Sequence, residues 1–189
     1  MTDIVMFVGH IIIEAIEAIA IHEHHEKKLA CAATDPRAAW HLAVLFGNGY
    51  NFSYNEEQVD KWLNFAAECG HADAQLRMAL VMEAKKNKTK EQQEWALELL
   101  KRSAEQNYPP ALNSLAMRHE SGKMGLVKDL KEAARYYQKS ANANYPDGQR
   151  HLGICFRDGI GVPVDLDAAR YWLRLAMYGG LGFAIHDLP

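Results

Sequence analysis

The densest run of chemically capable side chains is His22-Glu23-His24-His25-Glu26, where imidazoles and carboxylates stand close enough to suggest a metal centre. On a helix, His22, His25 and Glu26 share one side, and a metal-dependent hydrolase is the activity such a set would serve. The spacing matches no helical metal template. HExxH needs a histidine where Glu26 stands, and di-iron bundles need ExxH, whereas Glu14 and Glu17, like Glu23 and Glu26, give ExxE. A solvated helix end accounts for the cluster, so the expectation is no metal and no other cofactor.

The remaining candidates for chemistry have simpler roles. Glu56-Glu57 and the pair Asp165 and Asp167 stand where helices begin, and acids there answer the helix dipole and cap exposed N–H groups. Gly159-x-Gly161 lacks the preceding strand and third glycine of a dinucleotide fingerprint, and no nucleophile elbow or phosphate-cradling loop is present. Lys85 to Lys90 reads as a solvated basic loop. Cys31, Cys69 and Cys155 are too far apart for a CxxC site, which points to a reducing, cytoplasmic setting. A net charge of −3 without a long basic run argues against nucleic acid. No catalytic residue emerges, and the expectation is a protein that is not an enzyme.

These residues must be positioned by helices. The apolar stretch from Ile4 to Ile21 carries His10, Glu14 and Glu17, so it neither crosses a membrane nor serves as a signal peptide. Turned at 100° per residue, it places Asp3, His10, Glu14, Glu17, His24 and Lys28 on one arc and Val5, Val8, Ile12, Ile16 and Ile19 on the other. Residues 1–35 therefore form an amphipathic helix that caps a helical stack. Ile13 and Ile21 lie off the dry arc and keep a homodimer through this helix open.

Beyond it, the chain resembles itself when slid by about 37 residues. Ala111-x3-Leu115-Ala116 recurs as Gly148-x3-Leu152-Gly153, and Ala133-x2-Tyr136-Tyr137-x3-Ala141 as Ala168-x2-Tyr171-Trp172-x3-Ala176. The register extends back through Ala74-x3-Met78-Ala79 with Leu99, Leu100 and Ala104, and through Ala38-x3-Leu42-Ala43 with Trp62, Leu63 and Ala67. Four helix hairpins follow, over 36–70, 71–108, 109–145 and 146–180, with 181–189 as a tail. Small residues let paired helices approach closely, and large ones fill the grooves beside them. Because neither helix can bury its face alone, the units must stack. Gly159 to Pro163 and Ser121 to Gly125 supply the turns, Asp129 and Asp165 stand at N-cap positions, and Asn107 to Pro110 and Asn144 to Pro146 join one hairpin to the next.

Gly159-Ile160-Gly161-Val162, Asp165 to Trp172 and Leu175-Ala176 resemble the signature of the Sel1-like repeats, a branch of the tetratricopeptide superfamily, and Lys128 to Ala141 resembles it nearly as closely. The likeness covers roughly residues 36 to 180 and implies an all-α, right-handed α-solenoid of four hairpins that serves as a binding platform, with no family catalytic residues to carry over. Exported members with one disulfide per repeat are a poor match, because the cysteines here are unpaired.

The resemblance also implies a concave face lined by the first helix of each hairpin. Register then selects Trp40 and His41, Leu76 and Arg77, Asn113 and Ser114, and Arg150 and His151, together with an apolar row of Val44, Leu80, Met117 and Ile154. Such a row flanked by His, Arg and Trp has the composition of a peptide groove, while its apolar members would serve equally as packing between adjacent first helices. The function expected is a scaffold or adaptor that holds another protein or peptide. An immunity-type inhibitor of a toxin or enzyme is the alternative within that class, and the metal-dependent hydrolase the alternative outside it.

Overall fold

The computed structural model describes residues 35–48 and 56–189. The helix expected over residues 1–35, with His22, His25 and Glu26, falls outside the described residues but for Asp35. Among those described, the chain is all-α: eight α-helices, no strand, and a closing 3-10 helix. It divides into two compact units, residues 1–69 and residues 70–189.

In the first unit, α1 (Pro36–Asn48) pairs with α2 (Glu56–Glu68). Ala39, Leu42 and Ala43 meet Trp62, Leu63, Ala66 and Ala67 in a dry seam of small and large residues.

The second unit holds three hairpins: α3 (Ala72–Ala84) with α4 (Lys90–Glu105), α5 (Pro109–Ser121) with α6 (Leu130–Asn142), and α7 (Pro146–Asp158) with α8 (Leu166–Tyr178), followed by the 3-10 helix Gly182–Asp187. Local chemistry sets the boundaries. Asp129 accepts from the N–H groups of Lys131 and Glu132, and Asp165 from those of Asp167 and Ala168, capping α6 and α8. Thr89 and Gln92 form a reciprocal capping box at α4. Gly122 and Gly159 end α5 and α7 in the left-handed conformation, with φ of 67° and 72°. The N–H of Asp129 then donates to His119 O and that of Asp165 to Phe156 O, both at 2.9 Å, so both loops fold back by the same bond.

Repetition extends into the core. Ser103 Oγ donates to Ala72 O at 2.7 Å and Ser140 Oγ to Pro109 O at 2.8 Å, so each buried hydroxyl closes its own hairpin. Glycines stand where elements touch: a Cβ on Gly148 would lie 2.4 Å from Ser140 Oγ, and one on Gly153 would lie 2.7 Å from Leu173 Cγ. The tightest joint is Gly161, at φ +71°, where a Cβ would fall 1.9 Å from Leu130 O. Around these approaches Ala116, Ala133, Ala134, Tyr137, Ala141, Leu152 and Cys155 form the main buried cluster.

Candidate functional site: a groove along the first helices

The first helices α3, α5 and α7 touch in series, and each contributes one apolar side chain at the same register: Leu80, Met117 and Ile154. Leu80 is 36% exposed, Met117 41%, and Ile154 half-buried, so this row lies open where core packing would have closed it. All three border one groove of roughly 1100 Å³ in the second unit, walled by Arg150 and His151 on α7 and by Tyr137 on α6.

Polar bonds hold the walls in place. Asn113 is buried on α5; its Oδ1 accepts from His151 Nδ1 at 2.9 Å, and its Nδ2 approaches Met117 Sδ at 3.9 Å. The imidazole of His151 stacks on Tyr137 with ring centroids 4.9 Å apart, and the Tyr137 hydroxyl donates to Glu120 Oε2 at 2.7 Å. Burial, reinforced by neighbouring Arg150, holds His151 below the ordinary histidine range. Burial likewise raises the Tyr137 hydroxyl, aided by Glu120, and pushes the Cys155 thiol up to about 12. That shift leaves the thiol protonated and poorly nucleophilic. Arg118 pairs with Glu83 across α5 and α3 and donates to Ser114 O at 3.2 Å. At the rim, Arg150 Nε donates to Asp187 Oδ2 at 2.5 Å, while Arg157 Nη1 bonds Asp187 O at 2.9 Å, which ties the 3-10 helix to α7.

The residues selected by register therefore separate. Leu80, Met117, Arg150, His151 and Ile154 meet in the groove. Leu76 and Asn113, expected on the open surface, are buried at 5% and 6%: their helices turn them toward neighbouring packing, where Asn113 supports His151 from behind. Arg77 is exposed and pairs with Asp73 at 3.5 Å, outside the groove lining. Trp40 and Val44 are half-buried and His41 exposed on α1, in the first unit. Helical register missed Lys88, Lys123 and Lys128, which enter the groove from loops. Lys88 corrects the reading of Lys85 to Lys90 as merely solvated, since it is half-buried and donates to Glu83 O at 2.6 Å.

A second cleft of roughly 500 Å³ is lined by Lys101, Glu105, His119, Glu132, Tyr136 and Lys139. There His119 stacks on Tyr136 at 5.5 Å, and its buried Nδ1 has no hydrogen-bond partner. Burial holds this imidazole low, against the opposing pull of Glu132 and Asp129. Among the described residues no three His, Cys, Asp or Glu side chains converge as metal ligands. No described helix is long and apolar enough to cross a membrane.

Helix hairpins stacked so that their first helices share an open groove define an α-solenoid of the tetratricopeptide-like class. The Sel1 repeat model matches residues 36–71, 72–108, 109–145 and 146–181, and the chain belongs to that family. A solved Sel1 repeat protein from Oxalobacter formigenes is 31% identical with a TM-score of 0.71, over 84% of this chain and 46% of that one. Cysteine rich protein B of Helicobacter pylori shares the fold at 24% identity and a TM-score of 0.54, over 70% of this chain and 93% of that one. An uncharacterized protein of Neisseria meningitidis serogroup B is 27% identical over 146 residues, 77% of this chain and 30% of its own length. The chain thus spans less than half of the Neisseria and Oxalobacter relatives. Sel1 repeat proteins generally act as non-catalytic scaffolds for protein interaction.

Proposed function

We propose that this chain is a non-catalytic scaffold that holds a segment of a partner protein along the groove of Leu80, Met117 and Ile154. The observation that carries this reading is the apolar row itself, with one open side chain from each of three consecutive hairpins bordering a single groove. A contiguous apolar strip of this kind is a recurrent mark of a protein-binding surface. The wall bonds through Asn113, His151, Tyr137 and Glu120 support it, since a groove fixed before binding loses less entropy on docking. By register, Trp40, His41 and Val44 on α1 and Arg77 on α3 belong to the same set of binding candidates.

The test is affinity capture from native lysate with the full chain and with a Leu80→Ser, Met117→Ser double variant, after the two are shown to melt alike. A partner held by the wild type and lost by the variant is the expected result. Equal retention by both would place the working surface elsewhere. A single stoichiometric enzyme among the captured proteins would specify an inhibitor, and several unrelated proteins a general adaptor.

A further inference from the structure

The charge of the groove runs opposite to that of the chain. The protein carries −3 overall, yet five cations, Lys88, Arg118, Lys123, Lys128 and Arg150, line the groove against two carboxylates, Glu83 and Glu120. Glu83 is paired with Arg118, and Glu120 accepts from the neutral Tyr137 hydroxyl, which leaves three lysines facing one carboxylate. No ion pair among the described residues engages Lys88, Lys123 or Lys128, and Lys123 and Lys128 are exposed. The uncompensated charge therefore lies along the loop edge of the groove, beside the apolar row. Lys88 and Lys123 also border a smaller notch of roughly 280 Å³ against the turn Gly122–Gly125. At the other rim Arg150 already holds a carboxylate from the chain's own Asp187 at 2.5 Å.

Resting on the groove reading above, we infer that the occupant is an acidic, amphipathic peptide segment. Its apolar side chains seat on Leu80, Met117 and Ile154, and its carboxylates meet Lys88, Lys123 and Lys128. The lysines contribute chiefly to the encounter rate and to selection against basic segments, while the apolar row supplies most of the holding energy. A nucleic acid fits less well. The floor is aliphatic, and the two aromatic rings of the described lining, Tyr137 and His151, stack on each other, with Tyr137 buried, which leaves no open platform for successive bases.

The test uses the full chain and phage-displayed random peptides. Enriched sequences are synthesised with a fluorescein label and titrated by anisotropy against wild type, a Lys123→Glu, Lys128→Glu variant and the Leu80→Ser, Met117→Ser variant, at low and high salt. Labelled oligouridine is titrated in parallel. The expected winners carry clustered Asp or Glu beside an apolar residue, weaken about tenfold in the charge-reversal variant, and weaken further with salt. If winners show no acidic bias and lose affinity only in the Leu80→Ser, Met117→Ser variant, the acidic occupant is overturned while the groove stands. Winners indifferent to both variants, or no enrichment at all, would overturn the groove and the inference together. Oligouridine binding more tightly than any peptide, and lost on charge reversal, would assign the groove to nucleic acid.

Discussion

Tyr136 and Tyr137 are neighbours on α6, yet each stacks on a histidine in a different cavity, and the two stacks are built differently. The groove-side ring, Tyr137, is 1% exposed; its hydroxyl is bonded to Glu120, and its partner His151 is bonded to Asn113. On the cleft side Tyr136 is half-buried beneath the Arg135 guanidinium, 4.6 Å from its ring, and its partner His119 leaves a buried nitrogen without a hydrogen bond. Charges follow the same division. The cleft sets Lys101 and Lys139 against Glu105 and Glu132, whereas in the groove Lys88, Arg118, Lys123, Lys128 and Arg150 outnumber Glu83 and Glu120. The groove, where cations outnumber carboxylates, is thus the surface whose walls are fixed by directed polar bonds, as a recognition surface requires.

Truncation breaks the comparison most severely. Tyr137→Ala opens a cavity in the main cluster and should cost about 3–5 kcal/mol, against about 1–2 kcal/mol for Tyr136→Ala, read as paired urea midpoints. Equal losses would mean that the two stacks are equivalent supports. A finer cut exchanges each histidine for an apolar ring. His151→Phe strands the buried Asn113 amide and should destabilise by about 1–2 kcal/mol, whereas His119→Phe removes an unpartnered buried nitrogen and should be neutral or stabilising by up to about 1 kcal/mol. Destabilisation of both would show that His119 has a partner of its own.

The smallest effect is in pH. Both imidazoles titrate below their unfolded value of 6.5, so just under that value the unfolded chain binds more protons than the folded one, and stability must rise with pH there. Melting temperature should therefore fall as pH drops from 6.5 toward 5.5, and the slope should shrink in His151→Phe. Glu132 and Asp158, held below the usual carboxylate range by Arg135 and Arg157, lose their contributions only at lower pH, outside this window. A flat profile would indicate that the imidazoles stay hydrated.

Much of the fold is legible in the order of residue types, because small-large alternation is a packing instruction local to each hairpin. Ala116 is fully buried, Gly153 sits where a Cβ would press on Leu173, and Asp129 and Asp165 cap the helices their positions predict. The apolar row of the groove is legible for the same reason, since Leu80, Met117 and Ile154 share one register. Its polar half is not. Lys88, Lys123 and Lys128 arrive from loops whose path no helical period encodes, and Asn113 is placed by a bond to a residue of the next hairpin. Leu76 shows a further limit, because register gives a residue's direction around its helix but not whether a neighbour covers it.

The contact at Gly161 has an evolutionary consequence. Where the fourth hairpin's loop meets Leu130 O with no room for a methyl group, that joint between two hairpins is made by peptide groups, and point mutation has almost nothing to work on there. The corresponding turn of the third hairpin has open space around Gly125 and holds an additional residue, Met124, in the left-handed conformation. Lineages that diversify this repeat should therefore change the third turn, beside Lys123 and Lys128, long before the fourth. Recognition can then drift at one edge of the groove while the joint next to it stays the same.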